Sequence, residues 1–451
     1  MLIKFIVKNI FSFNEETEFN LFPNKTQRLL HHKINIKKIE ILRLSAIYGA
    51  NGSGKSNLIK SISLLETMII DGKIIKDLDD IKFKLNPENK DLPISFGIEF
   101  YSQNIIYYYT LTFDREIILN EVLYESLPKT DRLIFERNYI NEKQKINFSK
   151  KYTSNEKNRL FVEILEEKLI QKNELLLSFL NAKYEKEFNE VSNAFNWFQK
   201  DLVIIRPEAK PSGIAEILDK NDKLKLFSVD LISNLNTGIS NLFIKKEKFN
   251  DFIEDINKPQ IKQLIEDIKT RKNNISLRNS ETDEEMTLIY EENEIYVKRL
   301  ITNHLNNFGN PIEFSLALES DGTKRLIDYL PAFNGIINEN KVYIIDEIER
   351  SIHPITIKKI LSKISTDEKA KGQLIFTTHE SNLLDQDILR PDEIWFAQKD
   401  IDGASKLYSL SEFNIHNTAN IENGYLNGRF GGIPFLSNLK DLNWNKYEIS
   451  E

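Results

Sequence analysis

One stretch, Leu42 to Ile70, restricts this chain more than any other: a largely apolar strand, a glycine-rich turn and an amphipathic helix follow one another without a break. The turn, Gly49-Ala50-Asn51-Gly52-Ser53-Gly54-Lys55-Ser56, matches G-x-x-x-x-G-K-[ST] in the context that this spacing requires, after a strand and at a helix start. Behind it Leu58, Ile59, Ile62, Leu65 and Ile69 recur at helical spacing. Glycines let backbone N–H groups turn inward around phosphate oxygens, and the helix start adds a partial positive charge. Lys55 would reach the β- and γ-phosphates of ATP, Ser56 would ligate Mg2+, and Asn57 stands beside them in the first helical turn. An ordinary glycine turn is the plainer reading, but the chain has only 16 glycines in 451 residues, so a chance match at this spacing is rare.

Lys341-Val342-Tyr343-Ile344-Ile345-Asp346-Glu347 is an apolar strand ending in two acids. Two carboxylates at a strand end are common by themselves, but downstream of a phosphate-binding loop they have complementary tasks. Asp346 would hold magnesium, directly or through water, and Glu347 would polarise the attacking water as general base. Gln373 to Thr377 and Glu393-Ile394-Trp395-Phe396 are further short apolar strands, and their alternation with helical segments implies a mostly parallel, buried sheet.

Glu319-Ser320-Asp321-Gly322-Thr323-Lys324-Arg325 resembles a degenerate ABC signature, with Ser-Asp-Gly in place of Ser-Gly-Gly. It lies before a helix starting near Thr323, so that Ser320 and the Gly322 backbone would address a γ-phosphate through a helix N-terminus; a plain N-cap is the simpler reading. Ile348-Glu349-Arg350-Ser351-Ile352-His353-Pro354 resembles the D-loop, and Phe376-Thr377-Thr378-His379-Glu380-Ser381 the strand-then-histidine switch. Taken together these segments resemble the SMC-like branch of ABC ATPases. Arg390 to Phe396, Leu407 to Leu410 and Gly424 to Pro434 narrow the likeness to bacterial defence ATPases: the RloA-like proteins and the AriA component of the PARIS anti-phage system, related to the ATPase part of OLD-type proteins.

Ile3 to Leu21 reads as a hairpin, Ile94 to Glu125 alternate as in a small attached antiparallel β lobe, and Leu160 to Leu180 with Leu224 to Ile268 recur at helical spacing, a helical insertion. With the ABC-type P-loop ATPase head and mixed sheet that the resemblance implies, the expected fold is α/β. The boundaries expected are 1–130 for the first ATPase lobe, 131–286 for a mainly helical insertion and 287–451 for the lobe carrying signature, acids, D-loop and switch histidine. The resemblance also implies that His379 senses or stabilises the γ-phosphate, and that Ser320 and Gly322 of one copy cap the ATP of another, making the protein at least a dimer and open to a higher homo-oligomer. His353, before a proline, is expected to shape a turn. The family's magnesium-contacting glutamine has no clear counterpart: Gln103 reads as part of a strand turn.

Composition narrows the partners. No cysteine occurs, which excludes disulfides, thiolate nucleophiles and cysteine-based metal sites, and no apolar run approaches a membrane span. A cytoplasmic protein is the expectation. A net charge of −7 argues against a globally basic nucleic-acid binder, and Lys245-Lys246-Glu247-Lys248 reads as a solvated helix face. Two functions follow from the resemblance: a defence ATPase controlling an effector supplied in trans, such as a Toprim-type nuclease, under a phage-derived trigger; or a DNA-repair or chromosome-maintenance ATPase that clamps DNA directly. A fused nuclease is not expected, because Asp385, Asp392, Asp400 and Asp402 read as surface-loop acids without a two-metal arrangement. Gly424 to Pro434 stays open between a glycine-permitted turn and a phosphate or partner site at Arg429.

Overall fold

Leu44–Tyr48, Val342–Ile345 and Gln373–Thr377 are buried at every position, the pattern of strands covered on both faces. In the computed structural model, which describes residues 1–252, 259–271, 274–279, 284–415 and 419–433, they form the middle of a sheet ordered Leu202–Ile205, Val342–Ile345, Gln373–Thr377, Leu44–Tyr48, Ile394–Lys399, Ser405–Ser409. All neighbours pair in parallel except the last two strands, which run antiparallel at the edge. The register sets Ile345 beside Phe376 and Thr377 beside Ile47, so three chain segments leave the sheet at one edge.

Two units make up the chain: Met1–Ile205 with Asn340–Ile348 and the residues from Ser362 onward, and Arg206–Glu339 with Glu349–Leu361. The first holds the parallel sheet and a seven-stranded antiparallel sheet ordered Lys143–Phe148, Arg132–Ile140, Ile117–Glu125, Ile105–Asp114, Ile94–Ser102, Leu2–Lys8, Thr17–Asn20. Gln103-Asn104 and Asn141-Glu142 turn two of its hairpins with positive φ at both positions, as two-residue turns require. The helix Lys55–Asp71 buries Leu58, Ile59, Ile62, Leu65, Met68 and Ile69 in the core of this unit and stops at Gly72, whose φ of 75° suits a left-handed cap.

The expected boundary at 130 cuts through this antiparallel sheet, which runs on to Phe148. The segment 131–286 holds more helix than strand but is not all helical. Helices Glu156–Ile164, Leu176–Tyr184 and Asn189–Asn196 are there, but Leu202–Ile205 then enters the parallel sheet beside Val342–Ile345. Four apolar residues carry no period, and their partner lies far along the chain, so local spacing does not reveal the strand. Glu121, from the antiparallel sheet, receives the N–H groups of Leu176 (2.8 Å) and Leu177 (2.9 Å) and so caps the start of a helix. Burial pushes its carboxyl above the ordinary range, with Arg137 opposing that shift.

In the second unit, Ile239–Lys248, Glu294–Leu305, Glu285–Glu291, Ile275–Arg278 and Pro311–Ser315 form an antiparallel sheet. The lysine run is thus a strand, not a helix face: Lys245 pairs with Glu313 (3.0 Å), Lys248 with Glu294 (2.8 Å), and Lys246 with Glu291. The helix Asp321–Asn338 follows this sheet. Among the described residues no helix is long and apolar enough to cross a membrane.

Trp197 is fully buried and stacks on Phe100 at 4.2 Å between ring centroids. Trp197→Ala should therefore cost about 3–5 kcal/mol of unfolding free energy, measured by urea denaturation; a loss below about 1 kcal/mol would mean that this core is not where the unit derives its stability.

Candidate functional site

The segments leaving the parallel sheet converge. Ser56 Oγ donates to Asp346 Oδ1 at 3.2 Å, joining the start of the helix after Leu44–Tyr48 to the end of Val342–Ile345. The Lys55 ammonium is buried beneath the loop, donating to the carbonyls of Gly49 (2.7 Å) and Ala50 (3.2 Å), and lies 3.5 Å from His379 Nδ1. Thr377, fully buried, donates its hydroxyl to Asp346 Oδ1 at 2.5 Å and accepts the Glu347 N–H at 2.8 Å. Glu347 has a φ of 52°, a left-handed backbone that costs a non-glycine residue about 1–2 kcal/mol. That Thr377 bond and the one from Ile348 N to Thr377 O (3.1 Å) hold it there. Two consecutive acids thereby have different settings: Asp346 is buried against Ser56 and Thr377, and Glu347 is partly exposed.

The loop's shape is fixed by what surrounds it. A Cβ on Gly49 would overlap the Ala397 carbonyl, and one on Gly54, where φ is 113°, would overlap the Ser405 side chain. Ser405 donates to the Ser53 carbonyl (2.7 Å) and its Oγ lies within hydrogen-bond distance of Ser12 Oγ (2.7 Å), while Asn57 donates to Ser12 at 2.9 Å. Asn51 and Gly52 are exposed, whereas the Ser53 hydroxyl is buried and has no hydrogen-bond partner among the described residues. A buried orphan hydroxyl inside a ring of backbone N–H groups suits a phosphate oxygen. Ser56 and Asp346 together offer two hard oxygens, which fits magnesium completed by waters and phosphate; no cluster of three or more metal-binding side chains exists among the described residues.

Ser320 and Gly322 belong to the second unit. Ser320 caps the helix Asp321–Asn338, accepting the Thr323 N–H at 3.2 Å. Glu319 just before it accepts from Thr302 Oγ1 (2.5 Å) and His304 Nε2 (2.8 Å), and buried Arg325 donates to the Ala209 carbonyl at 2.7 Å. A Cβ on Gly322 would stand 2.6 Å from the Ser351 carbonyl, so the residue in the signature-like segment must be glycine to admit the D-loop-like one. His353 Nδ1 accepts the Ile355 N–H at 3.2 Å, shaping the start of the helix Pro354–Ser365.

Sequence reasoning gave Thr377, Ser405 and Ser12 no role, because small hydroxyls carry no signature until their neighbours are known. It also misplaced Asp392, which is buried and paired with Arg390 at 2.8 Å instead of lying in a surface loop. Next to it Glu393 binds His32 Nδ1 (2.9 Å), and His32 Nε2 meets Ser365 Oγ (3.1 Å). The order of these groups is that of a hydrolytic triad, but all three residues are fully buried, so no substrate can reach them, and burial pushes the Glu393 carboxyl upward against the pull of His32. Gly424 to Ile433 folds as a helical turn and loop beside the phosphate loop; Pro434 lies outside the described residues.

A family model described as "AAA domain, putative AbiEii toxin, Type IV TA system" matches residues 44–385. No curated protein matches the sequence. Among solved structures, the SMC head domain from Thermotoga maritima is similar at 13% identity over 92% of this chain and 99% of that one, with a TM-score of 0.36. The SMC head bound to the C-winged helix domain of ScpA gives 13% identity, 90% and 97% coverage and a TM-score of 0.42. The Smc head with an extended coiled coil bound to the C-terminal domain of ScpA, derived from Pyrococcus furiosus, gives 13%, 90% and 96%, and 0.37.

Removing the Thr377 hydroxyl takes a buried donor from Asp346 and the acceptor from the part-buried Glu347 N–H. Thr377→Val should lose about 1–3 kcal/mol of stability, read from the urea midpoint, while Thr377→Ser stays close to the parent. A loss in Thr377→Ser with Thr377→Val close to the parent would point to the methyl group instead of the hydrogen bonds.

Proposed function

Because this chain belongs to the AAA_21 family, we propose that it binds and hydrolyses Mg-ATP and acts as a nucleotide-dependent switch in bacterial anti-phage defence, controlling a nuclease or toxin effector supplied in trans. The observation that carries the chemistry is the convergence of Lys55, Ser56, Asp346 and His379 at the ends of three adjacent parallel strands. Residues Gly49 to Ser56 hold the triphosphate through backbone N–H groups and the Lys55 ammonium, with the orphan Ser53 hydroxyl as an added donor. Ser56 and Asp346 hold magnesium, which when bound neutralises charge on the phosphoryl oxygens. Glu347 accepts a proton from the attacking water at its carboxylate, and His379 donates to the terminal phosphate.

Closure by a second copy completes the site: its Ser320 hydroxyl and Gly322 N–H, at a helix N-terminus, meet the γ-phosphate. Hydrolysis removes the group that bridges the copies, so the output is a change of conformation and association. A protein effector is favoured over DNA by the charge distribution. The net charge is −7, and the lysines of Ile239–Lys248 face glutamate partners. A cytoplasmic setting and a phage-derived trigger belong to the same reading; the DNA-clamping repair ATPase is its alternative.

Glu347→Gln should bind ATP as the parent does and hydrolyse it at least about a hundredfold more slowly in a phosphate-release assay; near-normal turnover would remove Glu347 from the mechanism. The same variant, purified from its host in Mg-ATP after nuclease treatment, should sediment as a dimer or larger and bring down a stoichiometric protein companion. A monomer at every concentration refutes the shared site. A clean oligomer that instead binds DNA with steep salt dependence supports the clamp.

A further inference from the structure

The Gly424 to Ile433 segment has a position that none of the chemistry above uses. After the helical turn Ile421–Leu426, Gly428, Gly431 and Gly432 all take positive φ, between 68° and 76°. The resulting turn is pinned from within the same unit. Tyr408 donates to the Phe430 carbonyl at 2.8 Å, Tyr425 donates to the Gly432 carbonyl at 3.1 Å, and Phe396 stacks on Tyr425 and Phe430 with interplanar angles of 16°. A Cβ on Gly432 would stand 3.7 Å from Gly49 Cα and 3.3 Å from the Phe396 ring, and one on Gly431 would overlap Gln398. Glycine is what lets this turn close against the phosphate loop.

Between the turn and the outer limb of that loop, Ala50 to Ser53, is a cavity of 270 Å3, floored by Ala397 and Gln398 and closed by Gly432 and Ile433. This is near the lower end of pockets that hold a small ligand, about 300 Å3. Its side of the sheet is informative. Asp346, Thr377 and His379 come from strands on one side of Leu44–Tyr48, and Lys55 is drawn toward them; Ala397 and Gln398 end the strand on the other side. A nucleotide whose terminal phosphate faces Lys55 and Asp346 has its opposite end directed to this cavity. The walls are loop backbone, small apolar surface, the carboxamides of Asn51 and Gln398, and Lys399, a lining that pairs apolar contact with polar donors for a ring and sugar. Gln398 Oε1 accepts from Gly432 N (3.3 Å) and shares the single Tyr408 hydroxyl proton (2.8 Å) with the Phe430 carbonyl, so the remaining polar group of the side chain is its amide nitrogen, a donor.

We propose that Gln398 and the Gly428 to Ile433 turn form the wall that receives the base-and-ribose end of the nucleotide, with the Gln398 amide donating to an acceptor on the base or sugar. This rests on the nucleotide-binding reading above and adds the residue that determines nucleoside recognition. Inorganic tripolyphosphate, which lacks the nucleoside, separates the two. By calorimetry in magnesium the wild type should bind ATP more tightly than tripolyphosphate. Gln398→Glu keeps an acceptor for Tyr408 and Gly432 but loses the donor; it should weaken ATP about tenfold and leave tripolyphosphate unchanged. Equal affinity of the wild type for the two ligands, unchanged ATP affinity in the variant, or equal loss of both ligands overturns the assignment. Lys55→Ala should lose both ligands, and a wild type that binds neither overturns the nucleotide reading itself and this inference with it.

Discussion

The hydroxyl of Thr377 sets the geometry from which the rest of the site follows. It bonds at once to the carboxylate of Asp346 and to the N–H of Glu347, and it is sealed from solvent. Its position comes from the parallel register in which Ile345 lies beside Phe376, so the residues just beyond each strand meet without any adjustable loop between them. One shared hydrogen-bonding group thus holds the carboxylate of one acid and the backbone of the next. The left-handed backbone at Glu347 is the local cost, and the buried Ile348 behind it keeps the turn from relaxing.

Around this fixed point the phosphate loop is shaped by exclusion as much as by attraction. Ala397 leaves no room for a side chain at Gly49, and Ser405 leaves none at Gly54. The Ser12–Ser405 pair joins the end of the first antiparallel strand to the edge of the parallel sheet, with the Ser53 carbonyl bound on one side and Asn57 on the other. The parallel sheet and the chain that follows the first antiparallel strand therefore both brace the loop. The second unit solves a similar problem at Gly322, where the Ser351 carbonyl comes so close that only glycine fits, and Glu319, held by Thr302 and His304, anchors the chain just ahead of Ser320.

Much of this was legible from the sequence where the signal is local. The run from Leu42 to Ile70 contains strand, loop and helix in contact order, and Val342 to Glu347 carries an apolar strand with its acids attached. The N-terminal hairpin and the alternation from Ile94 to Glu125 likewise follow from period-two spacing. The helical reading of 131–286 missed the strands Leu202–Ile205 and Ile239–Lys248, whose partners lie far along the chain. The reading of the lysine run failed because charge alone does not say whether the residues beneath it are coiled or extended.

Residue order alone determined that this chain carries a phosphate loop on a strand–helix junction and a pair of acids on a second strand, because those features are encoded by contiguous residues whose backbone and side-chain chemistry act within one turn. Only the tertiary structure decided that Thr377 joins the acids, that Ser405 and Ser12 brace the loop, and that Gly432 closes on Gly49. Those contacts link residues tens to hundreds of positions apart through parallel pairing and close packing, and neither leaves a periodic trace along the chain.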